Sequence, residues 1–573
     1  MEKISRYSML WLGCFLPLAY LLPNHYLPWL TFHQEMMAGV AFFPLLAVSL
    51  IASARTKHPL ALIAALVLVA VPLIQFLIGK VFYFSDAFVA ALYLLGGVLA
   101  FFFGERFLSR LNAPEENKGL TFLFLVFLIS SVVSVFIQLH QWLGLGWLGV
   151  FVIDLRPGGR PYANMAQPNQ LATLLLLGQL SLIYLYEIRK ASATFLLFVS
   201  AILSFGLALT QSRSALIAGV LISLSWLLCR KRVKAKISTQ GVLISFLFFL
   251  SVFLWLTGIN KILLLDVGQS SLVDRFGSDL RLEIWHQMVD AISRAPWFGY
   301  GWNQVPIAQQ VVAMDHRALH IYLESAHNIF LDLMLWMGIP IAAGVIFLLF
   351  IGARRGIGLA KSSTQLTLLL AVATIFFHAL FEYPINYLYF LLPVSLIAGA
   401  LLGREMKSAK PKFTWFVVLL RSFFFGVSIL IAWGAFLLVS EYFHWERTWS
   451  ELQYQAAGIG EKKEISLPST RMLTGFLEVA EVVKMEPMRG IHPEEIERVR
   501  KVSERYGWGN LLFKYALIAG LNEMPVESKR ALELMCAVSS IKYCAQAKFD
   551  WQGWRNIYPA LSSFDDLNLR LER

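Results

Sequence analysis

Five residues, Glu324-Ser-Ala-His327-Asn328, bring together a carboxylate, an imidazole and an amide. They lie where a polar stretch of about 65 residues gives way to an apolar run from Ile329 to about Phe350. Read as the first turn of a helix, Glu324, His327 and Asn328 fall at i, i+3 and i+4 and share one face. A titratable ring at a membrane–water boundary, with a carboxylate beside it, suits proton transfer to a substrate that is half lipid and half water-soluble. The alternative is an interfacial histidine that only caps a helix.

Four other groups belong at the same depth. Gln167-Pro-Asn169 sits at the mouth of an apolar run, Gln211-Ser-Arg213-Ser214 forms a tight connection, and Glu382-Tyr383-Pro384 forms another. Arg281 opens an amphipathic stretch, Leu280–Arg294, in which Leu282, Ile284, Trp285, Met288, Val289 and Ile292 recur at roughly helical spacing. Each has a plainer reading: an N-cap turn for Gln167, an interfacial anchor for Arg213, a solvated cation for Arg281. Taken together, two arginines, amides and a histidine suit a pyrophosphate, because guanidinium forks bind phosphate oxygens through several hydrogen bonds. His316-x-x-x-His320 has metal-binding spacing if helical, but no third ligand of the right kind stands beside it, and Asp315 would not share its face. No metal is expected there.

The elements that must position these groups are membrane helices. The 573 residues are 57% hydrophobic and 15% charged, with mean hydropathy +0.62, where a soluble protein carries about 25% charge. The fold class expected is all-α and polytopic, with about thirteen transmembrane helices near 8–22, 36–53, 59–79, 86–103, 119–138, 169–187, 192–210, 213–229, 240–258, 326–350, 364–381, 385–402 and 418–440. The basic N-terminal residues Lys3 and Arg6 resemble a signal-peptide start, but no small-x-small site follows, so this reads as a retained helix. The net charge of +12 reports basic cytoplasmic loops, not a nucleic-acid partner. Arg55 and Lys57; Arg106, Arg110 and Lys118; Arg189 and Lys190; Arg230 to Lys236; Arg354, Arg355 and Lys361; and Arg404, Lys407, Lys410 and Lys412 alternate with connections almost free of Lys and Arg. The N-terminus is therefore expected in the cytoplasm and the C-terminus on the opposite side, the periplasm in a Gram-negative inner membrane. Charges near the spans, Asp86, Arg213, Glu382 and Arg421, sit at span ends. That favours an enzyme at the outer surface over a pump or proton-coupled carrier, which would be expected to place some charge near the midplane.

Two domains are expected: a transmembrane domain over residues 1–440, with outer loops at about 139–168 and 259–325, and an outer domain over 441–573. The tail reads as short helices. Leu511–Ala519 and Glu527–Ala537 form a hairpin that resembles a tetratricopeptide-like stack, without a clean 34-residue period. Cys14 and Cys229 lie in or beside apolar spans and read as inert. Cys536 and Cys544 fall in an oxidising compartment and are expected to pair, the residues between them forming a helix end and a turn.

The ordered set Gln167-Pro-Asn169, Thr210-Gln-Ser-Arg213-Ser, Arg281…Trp285, Gly299-Tyr-Gly-Trp302-Asn, Ala326-His327-Asn328, Gly338 and Glu382-Tyr383-Pro384 resembles the bacterial O-oligosaccharyltransferases, the protein-glycosylating branch of the O-antigen ligase and polymerase superfamily. The likeness covers about residues 120–410, and the tail is similar to that branch's extra C-terminal region. The resemblance implies a glycosyltransferase that moves a glycan en bloc from undecaprenyl pyrophosphate to a Ser or Thr hydroxyl of a periplasmic protein, commonly a pilin. It implies no metal and no other cofactor. The family's essential histidine matches His327, its loop glutamine Gln167, its basic pair Arg213 and Arg281, and its late tyrosine Tyr383. Glu324, Asn169 and Asn328 are added as supporting residues from their positions. Direct attack opposite the leaving group would invert the anomeric centre. The alternative within the superfamily is an O-antigen ligase that uses lipid A–core as acceptor.

Overall fold

The computed structural model describes residues 2–53, 59–109, 118–265, 267, 280–403, 414–461, 464–559 and 561–562. Of the basic connections, Arg55, Lys57, Arg110, Arg404, Lys407, Lys410 and Lys412 lie outside them, as does part of the 259–325 loop. Every regular element among the described residues is helical. Apolar helices lie over all thirteen hydropathy windows: α1 (Glu2–Leu21), α2 (Phe32–Ser53), α3 (Pro59–Leu77), α4 (Phe84–Phe103), α5 (Lys118–Trp142), α6 (Pro168–Glu187), α7 (Ala193–Leu209), α8 (Arg213–Cys229), α9 (Thr239–Ile262), α12 (Ile329–Leu359), α13 (Ser363–His378), α14 (Leu388–Leu402) and α15 (Thr414–Ala456). Among the described residues, seven stretches are long and apolar enough to cross a bilayer on their own: Phe32–Leu50, Phe84–Leu108, Lys118–Trp142, Pro168–Glu187, Thr239–Ile262, Ile329–Leu359 and Val418–Gln455. This is a multi-pass membrane protein. Between α9 and α12 lie α10 (Arg281–Arg294) and α11 (Val305–Val312). The tail carries α16 (Thr474–Lys484), α17 (Pro493–Tyr506), α18 (Gly509–Leu521), α19 (Pro525–Val538) and α20 (Ile541–Ile557).

The chain condenses into two compact units. The first comprises Met1–Leu66, Tyr93–Gly277 and Leu348–Leu430; the second comprises Val67–Leu92, Ser278–Phe347 and Ile431–Arg573. The first has a core running from Leu12 and Leu16 of α1 through Phe124 and Phe127 of α5 to Leu171–Leu177 of α6 and Leu396–Ile397 of α14. In the second, the tail helices bury Val499, Val502, Leu511, Ile518, Leu532, Met535 and Trp551 together.

The expected boundary at residue 440 falls inside α15, which continues to Ala456. Hydropathy ends there, but helix propensity does not. The Glu441 carboxylate then accepts the N–H groups of Arg471, Met472 and Leu473, at 2.9, 2.9 and 3.1 Å, so the helix carries the anchor for the start of the tail. Cys536, near the end of α19, is bonded to Cys544, in the first turn of α20, with Cα atoms 5.0 Å apart.

A break in α12 explains the glycines of the 297–302 turn. Pro340 has no N–H for the carbonyl of Trp336, and Gly338 leaves helical geometry at φ +77°, ψ 165°. The freed groups find other partners within the second unit. Gln75 Nε2 donates to Trp336 O at 2.8 Å, Tyr300 N–H to Leu335 O at 2.7 Å, and Ile339 N–H to Pro296 O at 2.7 Å. The turn and the helix touch backbone to backbone. A Cβ on Gly338 would stand 2.3 Å from Trp297 O, and one on Gly299 would stand 2.3 Å from Leu335 O. Only glycine fits at either place.

Candidate active site

The site residues fall in both units, and each group is coherent by itself. In the first unit, Gln167, Asn169, Arg213 and Tyr383 stand at helix ends. Gln167 is the N-cap of α6: its side-chain oxygen accepts the N–H of Gln170 at 2.6 Å, and Pro168 occupies the first helical position. The side-chain amides of Gln141 and Asn164 hold the preceding loop by bonding backbone groups of residues 151–163. Asn169 Nδ2 donates to Glu382 Oε1 at 2.7 Å, bridging two motifs 213 residues apart. One turn further along α6, Thr173 Oγ1 bonds His378 Nδ1 at 2.5 Å, while Glu382 N–H donates to His378 O at 2.8 Å. His378 and Thr173 belong to this polar cluster although sequence reasoning passed over them; the signal was a histidine at the end of an apolar run. Arg213 is the first residue of α8, half-buried, behind a turn in which Gln211 takes φ +48° and Ser212 caps the helix through Ala215 N–H. Tyr383 stacks loosely on Tyr387, with centroids 5.9 Å apart.

In the second unit, the segment 324–328 corrects the helical reading. It is a turn, α12 begins only at Ile329, and His327 sits at φ +53°. Glu324, His327 and Asn328 therefore do not share a helix face. The cause is Asp332, buried four residues into the apolar run. Its Oδ2 accepts the Ser325 hydroxyl at 2.6 Å and its Oδ1 the Ala326 N–H at 2.7 Å, while Ser325 Oγ accepts the His327 N–H at 2.9 Å. The Asn328 side chain caps α12 by accepting from Phe330 N–H at 3.0 Å and Leu331 N–H at 3.4 Å. Asp332 was missed among the charges weighed at span ends, and a lone carboxylate so near the start of a span was its only signal.

Arg281, half-buried, begins α10. Trp285, one turn on and on the same face, donates from Nε1 to Ala326 O at 3.0 Å. The arginine's helix is thus pinned to the residue before His327. Glu324 is exposed at its edge, yet enough protein surrounds it that burial raises its carboxyl above the usual range, with Arg505 pulling the other way.

The helical spacing of His316 and His320 is not realised, because residues 316–320 are not helical. His316 Nε2 pairs with Asp290 at 2.7 Å, and His320 Nδ1 bonds Cys536 O at 3.0 Å. Asp290 is held down to about 2 by hydrogen bonds from Arg294 and His316. Among the described residues no group of three or more His, Cys, Asp or Glu is arranged to hold a metal.

Known proteins place this geometry. Residues 198–348 match the O-antigen ligase family model, residues 161–186 a protein glycosylation ligase model, and residues 366–546 the C-terminal region of virulence-factor membrane-bound polymerases. The chain is 36% identical over 403 residues to a general O-oligosaccharyltransferase of Acinetobacter baylyi, covering 69% of this chain and 70% of that one. It is 27% identical over 547 residues to a ComP-specific O-oligosaccharyltransferase of the same organism, covering 94% and 96%. The first two family matches take in Gln167, Asn169, Arg213, Arg281, Glu324, His327 and Asn328. The chain belongs to the O-oligosaccharyltransferases and is a glycosyltransferase.

Proposed function

We propose that this protein transfers a preassembled glycan from undecaprenyl pyrophosphate to a Ser or Thr hydroxyl of a periplasmic protein, one resembling a pilin. It works in the bacterial inner membrane, crosses it thirteen times, and keeps its N-terminus in the cytoplasm and its tail, a tetratricopeptide-like helical domain, in the periplasm. The observation that carries the reading to residues is the turn at His327: a histidine whose flanking backbone is held by Asp332, Ser325 and Trp285 where an apolar helix begins.

The acceptor oxygen attacks the anomeric carbon. The new C–O bond forms as the bond to the pyrophosphate oxygen breaks, and the hydroxyl proton passes to the His327 imidazole. Undecaprenyl pyrophosphate departs carrying the electron pair, and its growing charge falls to Arg213 and Arg281, which act in place of a divalent metal. Glu324 orients His327. Gln167, Asn169, Asn328 and Tyr383 contact the donor. Attack opposite the leaving group inverts the anomeric centre.

The test offers the purified protein both an exported pilin and lipid A–core, with one lipid-linked donor. Glycan on the pilin, lost in a folded His327→Ala variant, is the expected result. Transfer to lipid A–core alone would instead make the protein an O-antigen ligase, the reading that the family match over 198–348 supports.

A further inference from the structure

The segment that leads into the His327 turn is seated on the tail at one corner, the end of α17. Gln310 Nε2 donates to Glu504 O at 2.8 Å. Gly507 closes α17 at φ +61°, and a Cβ there would stand 3.2 Å from both Tyr322 Cε2 and Gln310 Nε2. Trp508 is hydrogen-bonded to Tyr322. Between them, Arg505 Nε pairs with Asp86 Oδ2 at 2.6 Å, the two side chains only 11% and 15% exposed. Gln309 then ties residues 321–323 to α11, donating to Ile321 O at 2.8 Å and accepting Leu323 N–H at 3.0 Å. Higher up, His320 donates its backbone N–H to Ala537 O at 2.9 Å. Glu324 follows directly.

Resting on the reading of Glu324 and His327 given above, we propose that Arg505 is a positioning residue for the transfer reaction. Paired with Asp86 at the corner that seats Tyr322, it holds the segment from which Glu324 projects and so aims that carboxylate. The corner Glu504–Trp508 makes the tail part of the catalytic geometry and not only a place where the acceptor docks.

The charge arrangement is specific. Arg505 from α17 and Tyr322 on its own segment act on Glu324, and Asp86, Tyr506 and Tyr83 in turn surround Arg505. Arg505 is the cation that acts on Glu324, while both it and Arg498 act on Tyr83. Burial works against the charge of Arg505, but the charge and hydrogen bond of Asp86, with Tyr506 and Tyr322, together more than offset that and hold it protonated. Burial raises the Glu324 carboxyl and Arg505 lowers it, so loss of Arg505 moves that carboxyl further up. A carboxylate needed in its ionised form then fails at a higher pH, and the acid limb of the kcat profile moves toward neutrality.

The experiment uses the full-length protein in lipid nanodiscs with lipid-linked donor and acceptor protein. It compares Arg505→Met, Arg505→Lys and Gly507→Ala with the control Arg500→Met, whose side chain pairs with Glu497 and Glu504 on its own helix. The expected result for Arg505→Met is a kcat lowered by roughly ten- to a hundredfold, as a misplacement of about 1 Å costs. The acceptor KM should stay within about threefold, with the acid limb shifted upward. Lysine restores part of the rate and the limb, and Arg500→Met behaves as wild type. A folded Arg505→Met protein with wild-type kcat and acid limb overturns the proposal, and so does a rise in acceptor KM with kcat unchanged. If Arg505→Met does not fold, Gly507→Ala, which presses on Tyr322 without changing charge, decides: an unchanged kcat counts against positioning. An active His327→Ala overturns both readings, whereas an inactive one beside an unaffected Arg505→Met removes the positioning role alone.

Discussion

Asp332→Ala is the sharpest test of how the His327 turn is held. The substitution removes both acceptors at once and leaves the buried Ala326 N–H and the buried Ser325 hydroxyl without partners. Each orphaned group costs about 1–3 kcal/mol, so roughly 2–6 kcal/mol of support leaves the turn. Against that, holding a non-glycine residue such as His327 at φ +53° costs on the order of 1–3 kcal/mol. The support and the strain are of one size, so the turn relaxes and the ring swings away, while the long apolar helix behind it stays folded. Asp332→Asn behaves differently. Its carbonyl oxygen keeps the Ala326 N–H, and its NH₂ donates to Ser325 Oγ, which has a second lone pair beyond the one used by His327 N–H. The assay is single-turnover glycan transfer at saturating donor, with thermal unfolding measured alongside. Alanine is expected to lower the rate about a hundredfold or more, and asparagine by about tenfold or less. A folded Asp332→Ala protein with wild-type transfer refutes the argument that this carboxylate sets the histidine.

The other predictions concern separate parts of the chain. Arg213→Lys and Arg281→Lys keep the charge but lose the planar fork, so each should lose most of its donor-dependent rate, whereas EDTA should leave the wild-type rate intact; activity lost to EDTA and restored by a divalent cation would end the metal-free mechanism. Gly338→Ala places a methyl 2.3 Å from Trp297 O at a backbone angle that L-residues avoid, so expression of folded protein should fall sharply, and normal yield and melting temperature would show that the kink is not constrained. Removing the Cys536–Cys544 link by a double serine substitution should cost the tail about 2–3 kcal/mol from the entropy of so short a loop, read as a lower melting temperature; an unchanged transition would mean the link is not formed or not stabilising.

Where hydropathy alone decides, the sequence is easy to read. α8 begins at Arg213 and ends at Cys229, where the apolar window does, because each end carries its own stop, Ser212 as cap and the basic run after Cys229. Legibility fails where one polar residue outvotes a pattern. The spacing of Glu324, His327 and Asn328 would form one face only if the helix began before them, and Asp332 prevents that by taking Ala326 N–H and the Ser325 hydroxyl into a turn. His316 and His320 fail likewise: their spacing has meaning only on a helix, and Asp290 and Cys536 O take the two rings separately. The partnership of Asn169 with Glu382 was not legible, since 213 residues separate them and no periodicity links them.

These failures follow one rule. A polar side chain inside an apolar run is first of all a partner for backbone groups that a break leaves bare, since a bare group in hydrocarbon costs several kcal/mol, of order 2–7. Gln75 serves Trp336 O where Pro340 cannot, and Gln141 serves Ala163 and its neighbours. Asp332 serves Ala326. Each Asp332 oxygen accepts one hydrogen bond of the turn, so its first task is to shape that turn. Among the candidates of the second unit, Asn328 caps the start of α12 and Trp285 holds Ala326 O, and neither titrates near neutral pH. Of the two titratable candidates, Glu324 is a carboxylate and His327 an imidazole, and an imidazole is the side chain that ordinarily exchanges a proton near neutrality. The proposal of His327 as the base thus rests on the chemistry of its ring, carried by a turn that Asp332 shapes.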